Sequence, residues 1–177
     1  MINIILIGLP GSGKSTIAKA LAKNFSTEVV SLGREVDLEL QKDTPLSKEI
    51  AAVHNELLWH PLPDEIGFKL IERKILSMTS YVIEGYPRSV KQYGLSKKLF
   101  GECTIFIYID VNVETARQRF LKREGLERSS VFDQRLDVEN SRIPSLLAEI
   151  SQTRNFYTLD GENSIVEIIS SITKIIK

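Results

Sequence analysis

The chain has 177 residues, 42% hydrophobic and 26% charged, with Lys plus Arg equal to Asp plus Glu at 23 each. That length suits one compact domain with its own core. The even charge balance offers no overall basic field for nucleic acid or a membrane surface, and a single cysteine, Cys103, excludes a disulfide framework.

The first apolar run, "INIILIG", reads as a buried strand rich in Ile. "KSTIAKALAKNF" follows as a helix, with Ile17, Ala20, Leu21 and Phe25 at helical spacing. "EVVSLG" is a second short strand. Residues 35 to 60 have a helical period broken at Pro45 and Pro61, with Thr44 and Ser47 as caps near the break. "IGFKLIERKILS" resumes the helical period, and "SYVIEGYPR" is a third strand entering a turn. "CTIFIYIDV" is a fourth strand, apolar enough for burial on both faces. "VETARQRFLKRE" is a helix, "EGLERSS" a short polar connector, and a long helix follows from about Val131 to Thr153. "NFYTLDG" is a fifth strand and "NSIVEIISSITKII" the closing helix. Five strands, each followed by a helix, predict an α/β fold with a parallel sheet covered on both faces. No stretch approaches the roughly 18 to 20 apolar residues of a membrane span. The N-terminal run is broken by Asn3 and by glycines and shows no signal-peptide pattern. A cytoplasmic, monomeric protein is the default expectation.

"GLPGSGKST" carries the first chemical signal. Gly8, Gly13, Lys14 and Ser15 fit G-x-x-x-x-G-K-[ST] between a strand and a helix, which is the context that motif requires. Glycines let the backbone turn its N–H groups toward phosphate oxygens, and the helix adds its positive end. Gly8, Gly11, Ser12, Gly13, Lys14, Ser15 and Thr16 are therefore the expected nucleoside-triphosphate-binding loop. Lys14 would reach the β and γ phosphates, and Ser15 would be a ligand for magnesium.

"VIEGYPRSVKQ" carries the second. Glu84 ends an interior strand, on the sheet edge where ligands bind, and would hold Mg2+ through water. Gly85 allows close approach to the backbone, and Arg88 presents a fork suited to phosphate. Arg119 and Arg123, four residues apart, share a helix face; Arg128 and Arg135 follow across the connector. Like charges so placed call for an anion between them, or for a solvated helix balanced by Glu114, Glu124 and Glu127.

Taken in order, "GLPGSGKST", "EGYPRSVKQ", "RQRFLKR", "ERSSVFDQRL" and "LDG" resemble the nucleoside monophosphate kinases, adenylate kinase most of all, over nearly the whole chain. The resemblance implies a three-layer P-loop fold with a five-stranded parallel sheet. It also implies a monophosphate-binding lobe over 31–60 and a short lid at about 124–134. It implies that Arg88 holds the monophosphate's phosphate while Gln92 and the backbone of Gly85 face its base. Arg119 would stack on the donor adenine, and Arg123, Arg128 and Arg135 would grip the phosphates. Asp160 and Gly161 resemble the turn near that adenine. Mg2+, ATP and a nucleoside monophosphate are the implied cofactor and partners. The connector lacks a Cys pattern, so no zinc lid is expected.

The sequence departs from the family pattern after the second strand. Ser31, Leu32, Gly33, Arg34, Glu35, Val36 and Asp37 stand where S-T-G-D-x-x-R is usual. Ser31, Gly33 and Arg34 remain the expected monophosphate contacts, and Arg34 would replace the missing arginine, partly neutralised by Asp37. Either Arg34 takes over that contact or the acceptor is not AMP. Two rivals follow: a P-loop kinase for another small acceptor, and a nucleotide-binding module without catalysis. His54, Trp59 and His60 read as surface or lobe-packing residues.

Overall fold

A computed structural model describes residues 2–53 and 61–176. His54, Trp59 and His60 lie outside the described residues. Five strands, β1 (Asn3–Ile7), β2 (Glu28–Ser31), β3 (Tyr81–Glu84), β4 (Ile105–Asp110) and β5 (Phe156–Asp160), form one sheet in the order β2-β3-β1-β4-β5. Every neighbouring pair is parallel. The helices are α1 (Lys14–Phe25), α2 (Leu32–Leu40), α3 (Pro45–Val53), α4 (Asp64–Ile75), α5 (Val90–Phe100), α6 (Val113–Glu124), α7 (Ser129–Ile150) and α8 (Ile165–Ile176).

Strand geometry sends successive side chains to opposite faces. Ile4 and Leu6 of β1 join Ile17 and Leu21 of α1 and Ile168 and Ile172 of α8. Ile5 and Ile7 join Leu70 and Ile71 of α4, Tyr93 of α5 and Ile150 of α7. The sheet is thus covered on both faces, as the alternation of strands and helices predicts. The helices after β1 and β3 depart to opposite faces, which opens a crevice at the carboxyl ends of those two strands. The register fixes what meets there. Leu6 of β1 and Ser31 of β2 both pair with Glu84 of β3.

The structure moves three predicted boundaries. β2 ends at Ser31, and Leu32 and Gly33 open α2 instead of extending the strand. Leu32 and Val36 are both buried, a helical spacing that the apolar run hides. α7 starts at Ser129 and ends at Ile150, so only Gly125 and one 3₁₀ turn, Leu126–Arg128, separate it from α6. Thr44 caps α3: its Oγ1 accepts from Ser47 N (3.0 Å) while Thr44 N donates to Ser47 Oγ (3.0 Å).

Glu39 ties the region after β2 together. Its side chain is fully buried and accepts from Lys42 Nζ (2.9 Å), Thr44 Oγ1 (2.8 Å) and Arg73 of α4. The Lys42 bond, then those of Thr44 and Arg73, hold its carboxyl at about 2, against the opposing effect of burial. The folded value lies below the ordinary 4.5, so this stabilisation is present above about pH 4.5 and is lost as pH falls toward 2. Glu39→Gln is expected to cost about 1–3 kcal/mol at neutral pH. It should also flatten the acid limb of stability, read from melting curves at successive pH values. A variant as stable as the parent, with the same acid limb, would rule the tie out.

Candidate active site

The loop after β1 approaches α6 closely. A β-carbon on Gly11 (φ +82°) would lie 2.0 Å from the backbone oxygen of Ala116 in α6. That contact is backbone on backbone, so no side chain can yield. Gly13 (φ +94°) is the N-cap of α1, and among the described residues no side chain caps that helix. In contrast, Ser89 accepts from Gln92 N at the start of α5, and Asn112 from Glu114 N at the start of α6. The first N–H groups of α1 are thereby left for an anion.

Lys14 Nζ donates to the carbonyls of Gly8 and Leu9, both at 2.7 Å, and to Ser12 Oγ at 3.2 Å. Desolvation pushes its pKa down to about 8; Glu84 and Glu139 pull it up, and Arg88 and Arg135 push it further down. One residue on, Ser15 Oγ donates to Glu84 Oε2 at 3.2 Å. The register that sets Glu84 beside Leu6 brings this hydroxyl and carboxylate together across 69 residues of sequence.

Arg88 reaches back over the same edge. Its Nε donates to Gly85 O at 2.7 Å, and its Nη1 lies 3.6 Å from Glu139 Oε1 on α7. Gly85 has φ +74°, and a β-carbon there would lie 3.0 Å from Arg88 Nη2. Arg135 is held at about 10, first by desolvation and then by the charge of Arg88. Phe120, almost fully buried, lies 5.7 Å beneath the guanidinium of Arg123 and 5.7 Å beneath that of Arg135. The two arginines come from different helices and share one ring.

These groups border one cleft that opens to solvent, lined by the loop, Glu84 to Arg88, Arg123, Arg135 and Glu139. Two further cavities adjoin it. One shares Gly11, Gly13 and Thr16 with the first and adds Arg119, Lys122 and Gly161. The other shares Ser15 and Glu84 and adds Lys19, Ser31 and Arg34. Together they make a trough along the carboxyl edge of the sheet.

Other predicted residues sit at its margin or away from it. Arg119 Nη1 donates to Gly161 O at 2.8 Å and is 3.9 Å from Glu162. Arg123 is half exposed and pairs with Glu124 at 2.7 Å. Among the described residues, Arg128 and Gly33 do not line the three cavities, and nothing lies within 4 Å of a β-carbon placed on Gly33. Gln92 is buried. Its Oε1 accepts from Arg88 N at 2.7 Å, and its Nε2 lies against Gly67 of α4. Arg34 makes no ion pair with Asp37 among the described residues, so the expected neutralisation is not seen there.

Sequence reasoning missed Glu139 and Lys122. Glu139 is four residues beyond Arg135 on α7, and that spacing alone pointed to a shared face. Arg117, in the same basic run as Arg119 and Arg123, serves another purpose. It bonds Asp133 and Ser129 and so fastens α6 to α7.

A glycine loop opening an uncapped helix beside a strand-end carboxylate defines a P-loop nucleotide-binding protein. A sequence model of the family described as adenylate kinase matches residues 6–167. An adenylate kinase of Nitratiruptor sp. is 34% identical, over 97% of this chain and 93% of its own length. One of Campylobacter hominis is 32% identical, over 97% and 94%. One of Encephalitozoon cuniculi is 30% identical, over 90% and 85%. The chain belongs to the adenylate kinase family and is a nucleoside monophosphate kinase, a phosphotransferase acting on ATP and AMP. Among the described residues no helix is long and apolar enough to cross a membrane.

Proposed function

We propose that the γ-phosphoryl group of ATP passes in line to the phosphate of AMP along the trough at the ends of β1 and β3. The observation that best supports this is the single cleft bordered by Lys14, Arg88, Arg123 and Arg135. The loop amides and Lys14 take the β and γ phosphates, and Arg88 takes the acceptor's phosphate. Ser31, Gly33 and Arg34 frame the acceptor, with Gly85 and Gln92 facing its base through backbone and amide. Arg119 lies against the donor adenine near Gly161. Residues 31–60 serve as the acceptor lobe. Residues 124–134 serve as the lid that brings Arg123, Arg128 and Arg135 onto the phosphates.

Ser15 and Glu84, 3.2 Å apart, fit magnesium: one hydroxyl, one carboxylate acting through water, and phosphate oxygens for the rest. When bound, the ion neutralises charge on the transferring phosphates. No general base is needed, because the attacking phosphate oxygen is already ionised. The protein's work is positioning, charge neutralisation and exclusion of water.

The test is purified protein with MgATP and a panel of monophosphates. Rapid ADP formation with AMP is expected, with little ATP hydrolysis in its absence. ADP formed only with another acceptor, or with none, would refute the assignment. The Leu32, Arg34 and Asp37 departure is the one observation favouring another acceptor, and the panel covers it. Arg34 lines the cavity next to Ser15 and Glu84. Arg34→Ala is expected to raise the KM for AMP by about tenfold, the loss of one charge-assisted bond. An unchanged KM would remove Arg34 from the acceptor site.

A further inference from the structure

Glu139 is an unexpected group in this cleft. It is an acid lining a cavity meant for phosphates, with its side chain only 8% exposed. Arg88 lies 3.6 Å away, Arg135 is one helical turn before it, and its charge also acts on Lys14. A carboxylate there repels any phosphate that Arg88 is meant to hold. It has no proton to take either, since the attacking phosphate oxygen is already ionised.

We propose that Glu139 is a positioning residue that competes with the acceptor's phosphate for Arg88, holding the guanidinium over the sheet edge and deliberately weakening the site's grip on the monophosphate. The inference rests on the assignment of Arg88 to that phosphate. Its physical sense lies in turnover. Equal tightening of ground state and transition state adds nothing to kcat, and a cleft lined by Lys14, Arg88, Arg123 and Arg135 would hold its products too long without Glu139 to offset part of that charge. Glu139 offsets one of those charges and gives Arg88 a partner that a phosphate can displace. Arg88 Nε keeps its bond to Gly85 O throughout, so the exchange concerns only the Nη edge of the fork.

The experiment is calorimetric binding of AMP to the full chain, with circular dichroism and melting temperature as checks on folding. Glu139→Gln keeps the volume and removes the charge. It is expected to tighten AMP by about three- to tenfold. Glu139→Asp, with its carboxylate drawn back, should fall between that variant and the parent. Arg88→Ala should weaken AMP on its own and abolish the tightening when combined with Glu139→Gln. A merely structural role for Glu139 predicts the reverse, with weaker AMP in every variant. A folded Glu139→Gln protein that binds AMP no tighter than the parent overturns the inference, as does a Glu139→Asp protein that binds it more weakly. Should Arg88→Ala leave AMP binding unchanged, the assignment of Arg88 fails and the inference fails with it. Should Arg88→Ala weaken binding while Glu139→Gln does nothing, only the inference fails.

Discussion

Replacing Arg88 with lysine is expected to lower kcat/KM for AMP by about 10³-fold while leaving the Kd for ATP within about twofold. The geometry explains why a charge-conserving change is so costly. Arg88 uses Nε to hold the carbonyl of Gly85 and presents the rest of its fork outward, toward Glu139. Lysine has one compact ammonium on a flexible stem. It can satisfy the turn or reach a phosphate, but it cannot do both with a fixed planar geometry. The neighbouring turn is built around this fork, because a β-carbon on Gly85 would press on Nη2. Steady-state kinetics with AMP varied, beside calorimetry with ATP alone, measure both numbers. A fall of less than about tenfold would show that positive charge alone suffices at this position.

Replacing Lys14 with alanine should lower kcat by about 10²- to 10³-fold, the cost of removing one aligned donor from a developing charge. The parent protein should also show a pH signature that the variant lacks. The Lys14 pKa of about 8 means that the ammonium loses its proton in a range where most lysines remain charged. A triphosphate binds the protonated form better, so its affinity is expected to weaken by about tenfold between about pH 7.5 and about pH 9.5. The nucleotide's own phosphates are ionised across that range and do not contribute. Binding isotherms for ATP at several pH values, with Lys14→Ala in parallel, isolate the effect. Equal pH dependence in the two proteins would assign the titration elsewhere.

The sequence spoke most clearly where one local rule governs. Apolar runs named all five strands, and the Lys14–Phe25 helix was legible to the residue because its period, its glycine start and its loop agree. The end of β2 was not legible. Leu32 is apolar and continues the run, and only its burial together with Val36 shows the helix. Glu39 was invisible for a different reason: its partners come from the next loop and from Arg73 in α4, far along the chain. Gln92 does structural work that the motif did not show: its N–H completes the helix cap with Ser89, and its Oε1 accepts from Arg88 N. Within "RQRFLKR" the arginines looked alike, yet Arg117 is a structural tie to Asp133 while Arg119 and Arg123 border the trough.

Phe120 carries a consequence for how the far side of the trough behaves. Arg123 of α6 and Arg135 of α7 both pack against this one buried ring, each 5.7 Å from its centre, so a single side chain seats two cations from the two helices that the connector joins. The ring thereby keeps the two cations near one another. Any ligand that recruits one of them therefore recruits its companion at little additional entropic cost.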